Sequence, residues 1–343
     1  MKQKIIALDA MGGDHGPPVT VAASKLALGE IPGVELVLVG DETELRAELE
    51  RHGLAGNPNV RIHHASEVVT MNDHPAQALK KKKDSSMRVA IDLVRNGTVQ
   101  ACVSAGNTGA LMATGKFVLK TVRGISRPAI CTQLPGINGH THMLDLGANP
   151  ECTAEILAEF ALMGSILAQS VDGIEKPSIG LLNIGSEAIK GSEMVKSANQ
   201  LLSESRLNFY GYVEGDDIYK GSVDVIVTDG FVGNVSLKTA EGLAALVADV
   251  LRSEFGRNWL TRLGALCAMP VLKAVRGRLD PRRYNGASLL GLNGIVIKSH
   301  GSADTPSFFN AIKIASIEIE KDVPQRIARA IESYFSQAEE AVT

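Results

Sequence analysis

Val99–Lys116 reads VQACVSAGNTGALMATGK. Val99 to Ser104 has the apolar run of a buried strand, Ala105-Gly106-Asn107-Thr108-Gly109 turns, and helix-like sequence follows from Ala110. Strand, glycine-rich turn and helix in that order form an α/β anion site. A helix start leaves four backbone N–H groups unpaired, and its dipole favours negative charge there. Gly106 and Gly109 let backbone approach a ligand without a Cβ in the way. Ser104, Asn107 and Thr108 add side-chain donors. A capped turn with no ligand fits this stretch alone equally well, because a lone glycine-rich turn is a weak signal.

Outward from that stretch the same grammar repeats. Towards the N-terminus, Lys4–Asp9 is a short buried strand followed by Gly12-Gly13-Asp14-His15, with Pro17 and Pro18 opening a helix. Glu35–Val39 and Val60–His63 are further strands, and Asp41 with Glu44 caps the helix between them. Ala76–Arg95 reads as one helix, and its Lys80–Lys83 run as a solvated face. Towards the C-terminus, Pro128–Leu134 and His142–Leu146 form a strand pair, and Cys152–Gln169 is an apolar helix packed inside the protein. Ser178–Ile184, Phe209–Val213, Val223–Thr228 and Gly294–Lys298 are strands, with a long helix at Val235–Phe255 and helical segments at the end. Strands alternating with helices predict a mainly parallel sheet covered on both faces. Ligands in such sheets bind beyond the carboxyl ends of the strands. The turns after residues 9, 104, 146, 184, 228 and 298 all follow strands. They are therefore expected to gather at one rim as a polar, anion-accepting cleft.

Composition narrows the function classes. The 343 residues suit one large α/β domain over 1–343 with a helical arm at about 235–280. The net charge of −3 and 4% aromatic content argue against nucleic acid as a partner. Cys102, Cys131, Cys152 and Cys267 form no CxxC pair, so neither zinc nor a disulfide framework is expected. The N-terminus lacks the pattern of a signal peptide. The charge-free run Asn96–Gly115 carries glycines and polar groups that a lipid-exposed helix does not tolerate. There is no GxSxG elbow, no Walker A sequence and no GxGxxG after the first strand. That disfavours an acyl-enzyme or an ATPase and favours two substrates held so that they react directly.

The groups expected at the rim are Asp9, Gly13, Asp14, His15, Ser104, Asn107, Thr108, Gly109, Asp145, Asn149, Ser186, Lys190, Asp229, Asn234, His300 and Asp304. Several have a structural alternative as caps and turn residues. Lys190 offers phosphate a point charge, or is a surface helix lysine. Asn234 can donate to an oxyanion, or cap a helix. Between Arg252 and Arg283 eight basic residues face two acids. They are interleaved with Trp259, Leu260, Leu263, Leu266, Met269, Val271 and Leu272, and Pro270 is expected to break or kink the helix. Such a tip suits an anionic membrane surface, an acidic protein partner or a dimer interface, contacted through Arg257, Trp259, Arg262, Leu263, Leu266 and Lys273.

Six blocks together resemble the bacterial phosphate acyltransferase family of phospholipid synthesis. They are Asp9-Ala-Met-Gly-Gly-Asp14, Lys82–Met87, Ser104–Ala110, Leu144–Asn149, Thr228–Asn234, and Leu289–Gly294 with Ser299-His-Gly301. The resemblance covers residues 3 to about 335 in the family's order. It implies a three-layer α/β/α sandwich like that of the phosphate acetyltransferases and isopropylmalate dehydrogenases. It implies formation of acyl phosphate from long-chain acyl-(acyl-carrier-protein) and inorganic phosphate, with no cofactor and no metal. It also implies a cytoplasmic homodimer peripheral to the inner face of the cell membrane, handing product to a membrane glycerol-3-phosphate acyltransferase. In this reading Ser104–Gly109 and Lys190 hold phosphate and Asn234 steadies the oxyanion. A nicotinamide-dependent decarboxylating dehydrogenase on the related fold would need a metal-binding aspartate cluster. Asp224 with Asp229 is a poor match for one. A non-catalytic scaffold for acyl carrier protein would have no use for six anion-ready turns.

Overall fold

Residues 3–340 are described in a computed structural model, with side chains except those at 276, 278, 279, 281 and 334–340, which leaves the Arg276 and Arg278 side chains of the basic span outside the described ones. The first half alternates regularly: β1 (Lys4–Asp9), α1 (Pro17–Glu30), β2 (Val34–Gly40), α2 (Glu42–His52) and β3 (Val60–His64). Asp41 caps α2 as expected, accepting from the Glu44 N–H at 2.9 Å. The helix expected over Ala76–Arg95 is two, α3 (Pro75–Lys81) and α4 (Ser86–Arg95), because Ser85 caps a fresh start by accepting from Arg88 N–H. Then come β4 (Ala101–Ser104), α5 (Thr108–Leu119), the hairpin β5 (Ala129–Gly136) and β6 (Gly139–Leu144), and α6 (Ala154–Val171). The second half follows as β7 (Ser178–Leu182), α7 (Glu193–Ser203), β8 (Asn208–Val213), α8 (Asp217–Lys220) and β9 (Val225–Val227). Two long helices, α9 (Gly230–Gly256) and α10 (Trp259–Leu279), precede β10 (Ala287–Leu290), β11 (Ile295–Lys298), α11 (Thr305–Lys321) and α12 (Val323–Glu340).

The eleven strands among the described residues form one sheet, ordered β3-β2-β1-β4-β11-β10-β5-β6-β9-β7-β8. Helices cover both faces, so the expected three-layer α/β/α sandwich holds. Alternate strand residues feed different cores, as the two-residue period requires. Ile6 and Leu8 pack with α1, α2 and α11, while Ala7 packs with α4 and α5. In the other half Leu144, Leu181 and Val227 pack under α6, α7 and α12. α6 is apolar and long enough to cross a membrane by composition, but it is a core helix, with Leu157, Phe160 and Ala161 fully buried.

One expectation fails at the level of the sheet. β3, β2, β1, β4 and β11 are mutually parallel, and so are β6, β9, β7 and β8. Between the two sets, β10 pairs antiparallel with both β11 and β5, and β5 antiparallel with β6. The two parallel sets therefore run in opposite directions. The turns after residues 9, 104 and 298 leave one rim, and those after 146, 184 and 228 leave the other.

α9 and α10 leave the sheet as a helical arm. Between Asn234 and Asn285 no described side chain is buried. Trp259, Leu263 and Leu266 are more than half exposed, at 73%, 53% and 66%. Arg257, Arg262 and Lys273 are exposed beside them. α10 continues through Pro270, so the proline does not break the helix. An apolar groove of about 510 Å³ runs between the two helices, lined by Leu251, Phe255, Leu266, Met269 and Leu272 among others.

Candidate active site

The first bank of the site is built where β1, β4 and β11 end. Asp9 closes β1 and is fully buried; its two oxygens accept from Ser86 Oγ at 2.6 Å and Ser104 Oγ at 2.5 Å. Burial pushes its pKa up, against the pull of these hydrogen bonds and of Lys298. Ser104 Oγ also accepts from the Gly106 N–H at 3.0 Å. The three turns touch backbone to backbone: Asp14 N–H donates to Gly301 O at 2.8 Å, and Ser299 N–H to Ser104 O at 2.8 Å. Glycine is required for this. A Cβ on Gly12 would lie 2.9 Å from Gly106 N, and Gly13, at φ +87°, would bring one 2.9 Å from Gly301 O.

Several side chains expected to meet the ligand are instead struts. Ser104 spends its proton on Asp9. Asn107 caps α5 through Oδ1, accepting from Ala110 N–H, and its amide donates to Met71 O and Asp73 O. What faces the opening is the exposed start of α5, where the Thr108 and Gly109 amides have no intramolecular acceptor among the described residues, together with Asp14 and His300. His300 Nδ1 lies 2.9 Å from Ser302 Oγ. Partial burial, and then the Lys238 charge, hold its pKa below the usual histidine value, so it is neutral at pH 7.

Lys298 is the group that sequence reasoning missed. It closes β11 and is 8% exposed; Nζ donates to Ala105 O at 3.2 Å and to Ser299 O. Burial lowers its pKa to about 8, with Asp9 and Asp14 holding it from falling further. It is therefore a charged, fixed cation directly beneath the β4 turn at neutral pH. The available signal was a lysine ending the apolar run Ile295–Lys298 immediately before Ser299-His300-Gly301.

The second bank lies at the ends of β6, β7 and β9. Asp145 is buried, and its oxygens accept from the N–H groups of Ile130, Ala148 and Asn149 and from the Asn149 amide. Burial raises its pKa while these donors oppose it. Asn149 also donates to Pro128 O, so it is a strut rather than a ligand. Asp229 caps α9 through Val232 N–H. α9 starts five residues before the expected Val235 because Gly230 and Gly233 lie against the 145–149 turn, with Gly230 N–H bonded to Asn149 O at 2.8 Å. Asn234, next in the chain, sits over Gly147; its side chain is exposed and has no partner among the described residues. Lys190 and Ser186 lie on the β7 turn, which Asn183 braces by donating to Gly185 O and Lys190 O. Lys190 Nζ pairs with Glu187 at 2.8 Å, and that hydrogen bond raises its pKa. Asp224 and Asp229 flank opposite ends of β9 and form no cluster.

Asn234 and Lys190 are thus on adjoining strand ends, whereas five strands separate β4, which leads into the Ser104–Gly109 turn, from β7. One element joins the banks. Asn234, Lys238 and Glu241 recur at helical spacing along one face of α9, and Lys238 and Glu241 both act electrostatically on His300. Four helical residues advance only about 6 Å. α9 therefore runs from the second bank, at Asn234, towards His300 on the first.

A family model described as fatty acid synthesis protein matches residues 4–326. A phosphate acyltransferase of Methylococcus capsulatus is 60% identical, over 96% of this chain and 98% of the relative. The chain belongs to this family. A second phosphate acyltransferase of the family, from Nitrosococcus oceani, is 57% identical over 97% of this chain and 98% of its own. At this identity over the full length, membership makes the protein an enzyme, an acyltransferase of lipid synthesis. The architecture is shared more widely. A phosphotransacetylase from Streptococcus pyogenes superposes with a TM-score of 0.60 at 18% identity, covering 96% of this chain and 94% of that one, which is a likeness of fold.

Proposed function

We propose that the enzyme transfers a long-chain acyl group from acyl-(acyl-carrier-protein) to inorganic phosphate. A phosphate oxygen bonds to the thioester carbonyl carbon. The tetrahedral adduct then collapses, the C–S bond breaks, and the carrier leaves as a thiolate that takes a proton. Phosphate meets the free Thr108 and Gly109 amides, neutral His300 and the buried charge of Lys298 on the first bank, an arrangement suited to an anion. Asn234 donates to the carbonyl oxygen as it becomes an oxyanion, at the positive end of α9. Lys190, on the second bank with Asn234, exchanges its exposed partner Glu187 for the departing sulfur. Thiolate is a good leaving group and phosphate already carries negative charge, so the chain's own residues suffice to bind, aim and neutralise.

The observation that carries this reading is the Asn234 amide, without a partner among the described residues, on the α9 face whose Lys238 and Glu241 act on His300. The test is to incubate the protein with acyl-carrier thioester, with and without inorganic phosphate. Phosphate-dependent release of carrier thiol, matched by hydroxylamine-trapped acyl phosphate, is expected. Thiol release indifferent to phosphate would overturn the reading.

The same reading makes the protein a homodimer held peripherally at the inner face of the cell membrane. The exposed Trp259, Leu263 and Leu266 with Arg257, Arg262 and Lys273 are suited to anionic lipid or to the acidic carrier. Acyl phosphate is water-labile and apolar-tailed. Release at the surface delivers it to a membrane glycerol-3-phosphate acyltransferase.

A further inference from the structure

Away from both banks, at the opposite end of β6, three ligand-type side chains converge. His140 and His142 are two apart on β6 and so point to the same face. Asp172, the cap residue ending α6, reaches that face. Asp172 Oδ1 lies 3.2 Å from His140 Nε2 and Oδ2 lies 2.6 Å from His142 Nε2. All three ligand atoms fall within 4.8 Å of one another. We propose that this triad binds a divalent transition-metal ion of the Zn²⁺ class.

Geometry and hydrogen bonding both point there. Ligand atoms about 2.0–2.2 Å from a tetrahedral zinc are about 3.4 Å apart, so the present spacing needs only local adjustment. His140 Nε2 is approached by two groups at once, Asp172 Oδ1 at 3.2 Å and the Gln133 amide at 3.1 Å. One ring nitrogen carries either one proton or one lone pair and satisfies only one of them in this arrangement. An ion takes that lone pair, and Gln133 then serves a fourth position or an ion-bound water. His142 is 2% exposed and its Nδ1 has no partner among the described residues, where the ring is anchored by the nitrogen facing the cluster. The field suits a cation as well, because the Asp172 carboxylate lies against both imidazoles. Two imidazoles and one carboxylate are a borderline donor set suited to zinc, nickel or ferrous iron rather than to calcium or magnesium. His140, with its side chain 32% exposed, gives the ion a path from solvent. Once bound, the ion staples the β5–β6 hairpin to the end of α6, about three strand residues beyond Asp145.

The test is titration of chelator-treated protein with Zn²⁺ by calorimetry, with Co²⁺ as a spectroscopic stand-in. The expected result is one equivalent bound, a visible Co²⁺ spectrum of low coordination number, and a raised unfolding temperature. His140→Asn and Asp172→Asn should each weaken Zn²⁺ binding by about a hundredfold or more, since even outer partners of metal ligands are worth 10–100-fold. His140 is at the surface, so its variant should fold and retain acyl phosphate formation. The proposal is overturned if wild type takes up no equivalent, which makes the triad an ion pair only. It is equally overturned if the His140 and Asp172 variants bind Zn²⁺ as tightly as wild type, which places the ion elsewhere.

Discussion

Gly233→Ala is a one-carbon change whose cost can be worked from the structure. A Cβ at Gly233 would lie 1.9 Å from the Asp145 carbonyl oxygen, and such contacts essentially never fall below 3.0 Å. A movement of at least 1.1 Å is required, the gap between those distances. The Asp145 turn resists it, because its carboxylate is held by four donors from Ile130, Ala148 and Asn149. The start of α9 must therefore yield, and Asn234 with it. A misplacement of about 1 Å in a catalytic group costs on the order of 10²-fold in rate. Overpacking costs about 1–3 kcal/mol of stability, offset by up to about 1 kcal/mol from alanine's better helix propensity. The assay is steady-state release of carrier thiol, with urea unfolding on the same preparations. Gly242→Ala is the control: it lies on the same helix with nothing within 4 Å, and should keep its turnover. Gly233→Ala with turnover within threefold of the parent would refute the placement of Asn234.

Three further outcomes are expected. Lys190→Ala and Asn234→Ala should each lose roughly 10²–10³ in turnover, the loss seen for an oxyanion donor, while urea midpoints stay put; near-normal acyl phosphate formation removes that residue from the mechanism. Leu263→Glu with Leu266→Glu should weaken sedimentation with anionic vesicles, and unchanged sedimentation with the oligomer intact rejects lipid contact. Glu318 is buried against Ser288, and burial raises its pKa to about 7. The folded state then holds a proton that the unfolded chain releases near pH 4.5, so stability falls as pH rises from there to about 7. Glu318→Gln should flatten that decline, gaining on the order of 3 kcal/mol at pH 8 and little at pH 4 by urea unfolding; parallel pH profiles for the two proteins would contradict it.

How much of this was legible in the chain depends on whether the information is local. Strand, turn and helix are local, so β1, the Asp41 cap and the α6 core helix are visible in composition and spacing. Strand direction is not local. A glycine-rich turn looks the same on either parallel set, and the reversal rests on the β5–β6 hairpin and on β10. β10 is four residues long, Ala287–Leu290, and escaped notice because nothing in so short a run distinguishes strand from turn. The same limit explains the struts. Ser104, Asn107, Asn149 and Asp229 are residue types equally good at capping and at ligand binding, and only their partners decide between the two. Lys298 was overlooked because its burial comes from the neighbouring strands.

The length of α9 sets how strongly its two ends can influence each other. Its 27 residues span about 40 Å, and the fixed end is the glycine contact with the Asp145 turn. Asn234 stands within about 6 Å of that fulcrum, four residues from Gly230 and next to Gly233. For a rigid rod, 1 Å of travel at the tip moves Asn234 by at most about 0.15 Å. The arm thus behaves as a lever with a very short inner side. Whatever grips its tip repositions the whole enzyme while leaving the reacting groups nearly still, so docking and chemistry can be tuned by separate substitutions.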